Sequence, residues 1–209
     1  MFAPRSGRFL GPPAIAGIAL FVGAWLAGPG PGRVVLAVLG VGTLALAAFL
    51  AQFFRDPERL PGPEVVSAAD GRVVAVAEDG ARWQVVVFMN VTDVHVNRFP
   101  LDATVVSVRE GGAGFRAAFR ADAAHNVRRH YDLSTSAGPV EVVQLTGAVA
   151  RRLVSFVHPG DRRSKGDRLG MIVLGSRVDV FLPKERVQVT VREGDRVKAG
   201  VSPIARVRA

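Results

Sequence analysis

The sequence predicts a mainly β protein: a compact antiparallel β domain preceded by an N-terminal transmembrane helical hairpin. Three observations predict it. No charged residue lies between Arg8 and Arg33 or between Arg33 and Arg55. Beyond them, short runs rich in β-branched residues recur, each bounded by Gly, Asp or Pro. The 209 residues, 49% of them hydrophobic, suffice for one ordinary domain and a short extension.

The hairpin comes first. Val34 to Phe54 would span about 31 Å as a helix, matching a bilayer core of roughly 30 Å. The earlier stretch holds Gly11-Pro12-Pro13 and then Ala14 to Leu26. Gly28-Pro29-Gly30-Pro31-Gly32 turns the chain between the two. Arg5 and Arg8 before an apolar run also resemble a signal peptide. A second spanning-length segment after so short a turn favours the hairpin. Two buried core helices are the other alternative, but helices apolar all round suit lipid better. Arg5 and Arg8 flank one end, Arg55 and Arg59 the other. The positive-inside tendency therefore places the rest of the chain in the cytoplasm, at the cell membrane. The expected division is residues 1–56 and 57–209, with Pro61-Gly62-Pro63 as a joint.

Strands are expected at Val65-Val66, Arg72 to Ala77, Trp83 to Met89, Ala103 to Val108 and Val140 to Gln144. Further strands are expected at Leu153 to Val157, Met171 to Leu174, Val178 to Leu182 and Val187 to Val191. Phe115 to Asn126 is the one stretch with a helical pattern. Val191 to Gly200 resembles the small β-sandwich turn of biotinyl and lipoyl carrier domains, with Gly194-Asp195 and Ala199-Gly200 suited to tight turns. The cofactor-bearing Met-Lys or Asp-Lys hairpin tip of those domains is missing, so the likeness concerns shape.

Composition narrows the chemistry. With no cysteine there is no disulfide, iron–sulfur cluster or thiol nucleophile, and four histidines alone do not favour a structural zinc site. The net charge of +9 suits nucleic acid or an anionic lipid surface. Beyond residue 57 the basic residues form no run and are not interleaved with aromatics, which speaks against nucleic acid.

The sharpest chemical feature is Gly175-Ser176, between two apolar strands. Glycine before serine permits unusual backbone angles and leaves its carbonyl open to attack. Alone it is a loop dipeptide. Asp70, in Ser67-Ala-Ala-Asp-Gly-Arg-Val73, alone reads as a hairpin turn. His95, in Thr92-Asp-Val-His-Val-Asn-Arg-Phe-Pro100, alternates with Val94 and Val96 on an expected strand. The pattern changes when these are set beside Phe53-Phe-Arg-Asp-Pro-Glu-Arg59, Gly147 to Asp161 and Lys165-Gly-Asp-Arg-Leu-Gly-Met-Ile-Val-Leu-Gly-Ser-Arg-Val-Asp-Val-Phe-Leu-Pro183. Together they resemble the short, bacterial or archaeal form of the phosphatidylserine decarboxylases, over nearly the whole chain.

That resemblance implies a self-processing proenzyme. The Ser176 hydroxyl would attack the Gly175 carbonyl, turning amide into ester. Elimination would then break the ester and leave a pyruvoyl group at residue 176. The products would be a β subunit, 1–175, and an α subunit, 176–209. The pyruvoyl carbonyl would form an imine with the substrate amine and accept the electrons released as carbon dioxide leaves. Phosphatidylserine would become phosphatidylethanolamine. The resemblance makes His95 the proton donor, a role suited to an imidazole with its ordinary pKa near about 6.5. It assigns Asp70 to processing.

The longer members carry His-x-x-His where this chain has His95 and Arg98. Arginine is too basic to serve as a general base. Either His95 serves both steps, or processing relies on Asp70, strain at Gly175 and backbone donors. Arg98 suits the lipid phosphate or the substrate carboxylate. Asn126-Val-Arg-Arg129 keeps part of an Asn-Glu-Arg-Asn run, making Asn126 and Arg128 candidate head-group contacts. His125, His130 and His158 have no motif support and are expected at the surface. The pairs Arg151-Arg152 and Arg162-Arg163 are ordinary solvated charge, able also to attract anionic lipid. Two other functions fit parts of the pattern: a membrane-anchored, non-catalytic carrier-like module, and a membrane-bound serine protease using Ser176. Oligomeric state stays open, a homodimer included, as does the choice between ester and ether lipid.

Overall fold

The computed structural model describes residues 1–4, 6–114, 126–147, 152–173 and 176–208, with the backbone alone at Ser176. The expected Phe115–Asn126 helix, the Gly175 carbonyl, His125 and Arg151 lie outside these residues, Asn126 excepted. The chain forms two compact units, Met1–Pro57 and Glu58–Ala209.

The first unit is a helix pair, α1 (Gly7–Leu26) and α2 (Pro31–Phe53), both long and apolar enough to cross a membrane. Helix α1 begins earlier than expected and carries Pro12 and Pro13 within it. Each proline lacks an N–H and so removes one intrahelical hydrogen bond. Pro31 opens α2, where its missing N–H would have had no partner. The helices meet at glycines. A Cβ on Gly17 would lie 2.6 Å from Leu44 Cδ2, and one on Gly40 2.9 Å from Phe21 Cδ2. Small residues thus set the close approach, as in membrane helix pairs.

The second unit is β throughout its described residues. Its strands are β1 (Val65–Val66), β2 (Gly71–Asp79), β3 (Arg82–Met89), β4 (Val96–Arg98), β5 (Ala103–Gly111), β6 (Arg128–Thr135) and β7 (Gly138–Thr146). They continue with β8 (Arg152–Ser155), β9 (Arg162–Arg163), β10 (Arg168–Val173), β11 (Ser176–Pro183), β12 (Val187–Val189), β13 (Arg196–Val197) and β14 (Pro203–Val207). An eight-stranded sheet runs β13-β2-β3-β11-β7-β6-β5-β9, and two three-stranded sheets run β4-β10-β8 and β1-β14-β12. All strand pairings are antiparallel.

Side-chain alternation sorts the large sheet into two faces. Val85, Val87, Val142, Val178, Val180 and Leu182 enter one core, shared with Leu169 and Ile172 of β10 and Ile204 of β14. Strand β6 escaped the sequence reading because Arg128–Thr135 is mostly polar, with only Tyr131 and Leu133 facing the core. Pro61-Gly62-Pro63 is no loose joint. Gly62 N–H donates to the Gly200 carbonyl at 3.0 Å, and a Cβ there would meet Val201 O at 1.8 Å. Gly194 and Gly200 take positive φ, 96° and 75°, at the turns expected of them.

Candidate active site

Position 176 opens β11, the strand between β3 and β7. Its register partners are Met89 and Thr146, both fully buried. Strand β10, which leads into the 174–175 connection, belongs to another sheet and lies between β4 and β8. The chain on each side of that connection is therefore held by two neighbours of its own. Thr146 is itself pinned: its N–H and its hydroxyl both donate to the Val127 carbonyl at 3.0 Å, and its carbonyl accepts from Asn126 Nδ2 at 2.7 Å. Asn126 is fully buried, so its amide braces the strand beside Ser176.

Asp70 stands where β2 approaches β3. Its Oδ1 accepts from Arg59 Nη1 at 2.5 Å and from Ala199 N–H at 2.7 Å, while Oδ2 accepts from Arg59 Nη2 at 2.8 Å. Gly71 follows at φ 148°, and a Cβ there would lie 2.1 Å from Phe88 O. The Asp-Gly step therefore serves close backbone approach rather than a two-residue hairpin turn. It lies next to Met89, and hence one strand from position 176.

His95 does not sit on an alternating strand. Strand β4 begins after it, and Val94, His95, Val96, Asn97 and Arg98 are all buried. Its Nδ1 lies 2.9 Å from the Asp93 carbonyl, which can only accept, so the neutral ring carries its proton on Nδ1. Its own carbonyl accepts from Ile172 N–H at 3.2 Å. That bond ties His95 to β10 two residues before the 174–175 connection.

Arg98 threads between two glycines. Its Nη1 donates to Gly166 O at 2.8 Å, and its Cδ lies 3.0 Å from where a Cβ on Gly200 would be. Asp70 and Arg98 thus address the same 199–200 turn. Arg128 lies elsewhere, on the outer face of the large sheet, level with Leu145 and Arg177. Arg129 shares the inner face with Tyr131 and donates to Glu110. His130 is paired with Glu141 at 2.6 Å, and His158 is exposed.

Four residues at the site had no chemical role assigned from the sequence. Arg59 grips Asp70. Tyr131, Gln144 and Asn97 form a fully buried chain: Tyr131 Oη donates to Gln144 Oε1 at 3.1 Å, and Gln144 Nε2 donates to Asn97 Oδ1 at 2.7 Å. Asn97 Nδ2 reaches Met89 Sδ at 3.7 Å. Burial pushes the Tyr131 phenol above its ordinary pKa. The chain links β6, β7, β4 and β3, and so joins the His95 segment to both strands flanking β11. One signal was present in the sequence: Gln144 interrupts an otherwise apolar stretch, Val142-Val143-Gln144-Leu145. A concavity of about 670 Å³ beside Pro139 and Pro183 lies at the far end of β11.

A family model of phosphatidylserine decarboxylase matches residues 46–205. The chain belongs to the phosphatidylserine decarboxylase family. It is 44% identical over 171 residues to the phosphatidylserine decarboxylase proenzyme of Streptomyces avermitilis, covering 80% of this chain and 79% of that one. Over the full length of both chains it is 42% identical to a protein of Methanopyrus kandleri named as an archaetidylserine decarboxylase proenzyme. A Halobacterium salinarum protein with the same name is 41% identical over 97% of each chain. The matched span of the decarboxylase family takes in Arg59, Asp70, His95, Arg98, Asn126, Gly175 and Ser176.

Proposed function

We propose that the chain is a self-cleaving, membrane-anchored decarboxylase of a serine phospholipid, phosphatidylserine in the first instance. The observation that carries this reading is the placement of position 176. It heads a central strand, and the preceding strand is secured in a different sheet, so a cut at Gly175–Ser176 would leave both new ends held. The surroundings suit a pyruvoyl group made from Ser176, since fully buried Met89 and Thr146 flank the position and favour an environment poor in water. Such a group supplies an electrophilic carbonyl that takes up the electrons released as carbon dioxide leaves.

The chain's own residues do the rest. His95, once protonated on Nε2, delivers the proton that replaces carbon dioxide. Asp70 acts in self-cleavage as a carboxylate fixed by Arg59 and the Ala199 N–H. Arg98 presents a guanidinium to the substrate carboxylate or phosphate. Asn126 acts on the substrate through the strand end it braces, and Arg128 meets head groups from the outer face. The products would be the β chain 1–175 and the α chain 176–209, in an assembly anchored by residues 1–56 with residues 57–209 on the cytoplasmic side. The carrier-like character of Val191–Gly200 is limited to the turns at Gly194 and Gly200.

Mass spectrometry of the purified protein tests the reading. Two chains are expected, the smaller without a free amino terminus, whereas Ser176→Ala stays whole and inactive. An intact, active wild-type chain would overturn it, and so would fluorophosphonate labelling of Ser176, the mark of a serine protease. Both forms should remain in the membrane fraction through an alkaline wash; release of the full chain would refute the spanning hairpin.

A further inference from the structure

The outer face of the large sheet carries a line of arginines at the end nearest position 176. The register pairs Arg128 with Leu145, Leu145 with Arg177, Arg177 with Phe88, Phe88 with Arg72, and Arg72 with Arg196. Directly opposed residues in antiparallel strands project from the same face, so these six side chains form one row. The row crosses six strands, about 24 Å at the usual strand spacing. It contains four arginines and no acid.

The charges are not all equal. Arg177 is held by Asp179 through two bonds of 2.6 Å, so that pair is neutral. Arg72 gives one nitrogen to Gly194 O at 3.3 Å, which leaves its charge uncompensated. Among the described residues no ion pair engages Arg72, Arg128 or Arg196, and Arg72 and Arg196 are exposed. The turn beside Arg196 adds Arg192, Glu193 and Asp195, an offset of one negative charge. Acids gather instead farther along the same face, where Asp132 and Glu141 pair with Arg109, His130 and Arg82. The face is thus polarised, positive at the end nearest position 176 and balanced beyond it.

We infer that this arginine row is a docking surface for the head groups of an anionic bilayer, separate from the anchoring helices. Planar guanidinium groups match phosphate, and half-buried Phe88 lies within the row. A lipid substrate must bring its head group to the end of β11 while its tails stay in the bilayer. A positive row at that end would hold the sheet edge against the surface from which the lipid arrives. Each basic residue near an anionic surface strengthens binding about fivefold, so the two exposed arginines, Arg72 and Arg196, contribute at most about 25-fold, less the one-charge offset beside them. The attraction weakens with salt, because the Debye length shrinks. The inference rests on the decarboxylase reading for the direction of lipid approach, but docking itself needs no turnover and is read apart from activity.

Arginine footprinting of the full chain tests it. The protein is reconstituted at one copy per nanodisc, in phosphatidylcholine alone or with phosphatidylglycerol, and treated with phenylglyoxal. Exposed Arg186, in the turn beyond the far end of β11, serves as the reference. Modification of Arg72 and Arg196 relative to Arg186 should fall about fivefold or more in the anionic discs and recover in 0.5 M salt. In the variant Arg72→Gln/Arg196→Gln, the protection of Arg128 should be lost, while cleavage at 175–176 proceeds as in wild type. Equal modification in neutral and anionic discs overturns the inference. Salt-resistant protection in both lipids also overturns it. Protection that appears only with two copies per disc marks a contact between copies, and overturns it as well.

Discussion

Replacing Gln144 with leucine should separate the buried amide chain from ordinary core packing. The substitution nearly conserves volume but removes two hydrogen bonds, from Tyr131 Oη at 3.1 Å and to Asn97 Oδ1 at 2.7 Å. It leaves the Asn97 carbonyl oxygen buried without that partner, while the Tyr131 hydroxyl keeps Ser155 and Arg129. One such orphan and one lost bond cost about 2–4 kcal/mol, and added apolar burial returns part of it, so a net loss of about 2 kcal/mol is expected. For a unit of this size that is a fall of about 4–8 °C in Tm. Melting is best followed on a Ser176→Ala background, so that every variant is a single chain in the same detergent. Gln144→Leu combined with Asn97→Leu removes both ends of one bond. The double variant should lose less than the sum of the singles, by about 1 kcal/mol or more. In cut protein, Gln144→Leu should lower kcat more than it raises KM, because the segment bearing His95 loses its tether to β7. Strict additivity, or a Tm unchanged from the parent, would refute the tether.

Two further outcomes follow from the same geometry. In fully cut protein, His95→Ala should lose about 10²-fold or more in decarboxylation rate, as for a general acid, whereas Arg98→Ala should chiefly raise KM; near wild-type turnover by cut His95→Ala would remove the assignment. Because burial raises the Tyr131 pKa, the unfolded chain ionises first, so the stability this group protects is complete below about pH 10 and is lost as pH climbs through the raised folded value. Tyr131→Phe should flatten that alkaline limb in denaturant titrations, and an unaltered limb would count against it.

Local chemistry carried far in this chain. Two uncharged stretches and a Gly-Pro turn marked α1 and α2, and β-branched runs marked β2, β3, β5, β7 and β11, because periodicity and turn residues act over a few neighbours. The contiguous block ending Gly-Ser-Arg-Val-Asp-Val-Phe-Leu-Pro183 made the family legible. Strand β6 was not legible, since its polar residues decorate an outer face that exists only once the eight-stranded sheet has formed.

The sequence by itself determined the elements and the chemical types at the site: a glycine before a serine, an aspartate, a histidine, and an arginine where longer relatives carry a second histidine. Only the tertiary structure decided which of them meet. Arg59 reaches Asp70 across 11 residues, but the Ala199 N–H that completes the grip comes from 129 residues away. Gln144 finds Asn97 across 47 residues, and the arginine row crosses six strands drawn from distant parts of the chain. Such pairings depend on strand order and register. Those are set by the cooperative burial of one core, a property of the whole fold that no short window of sequence contains.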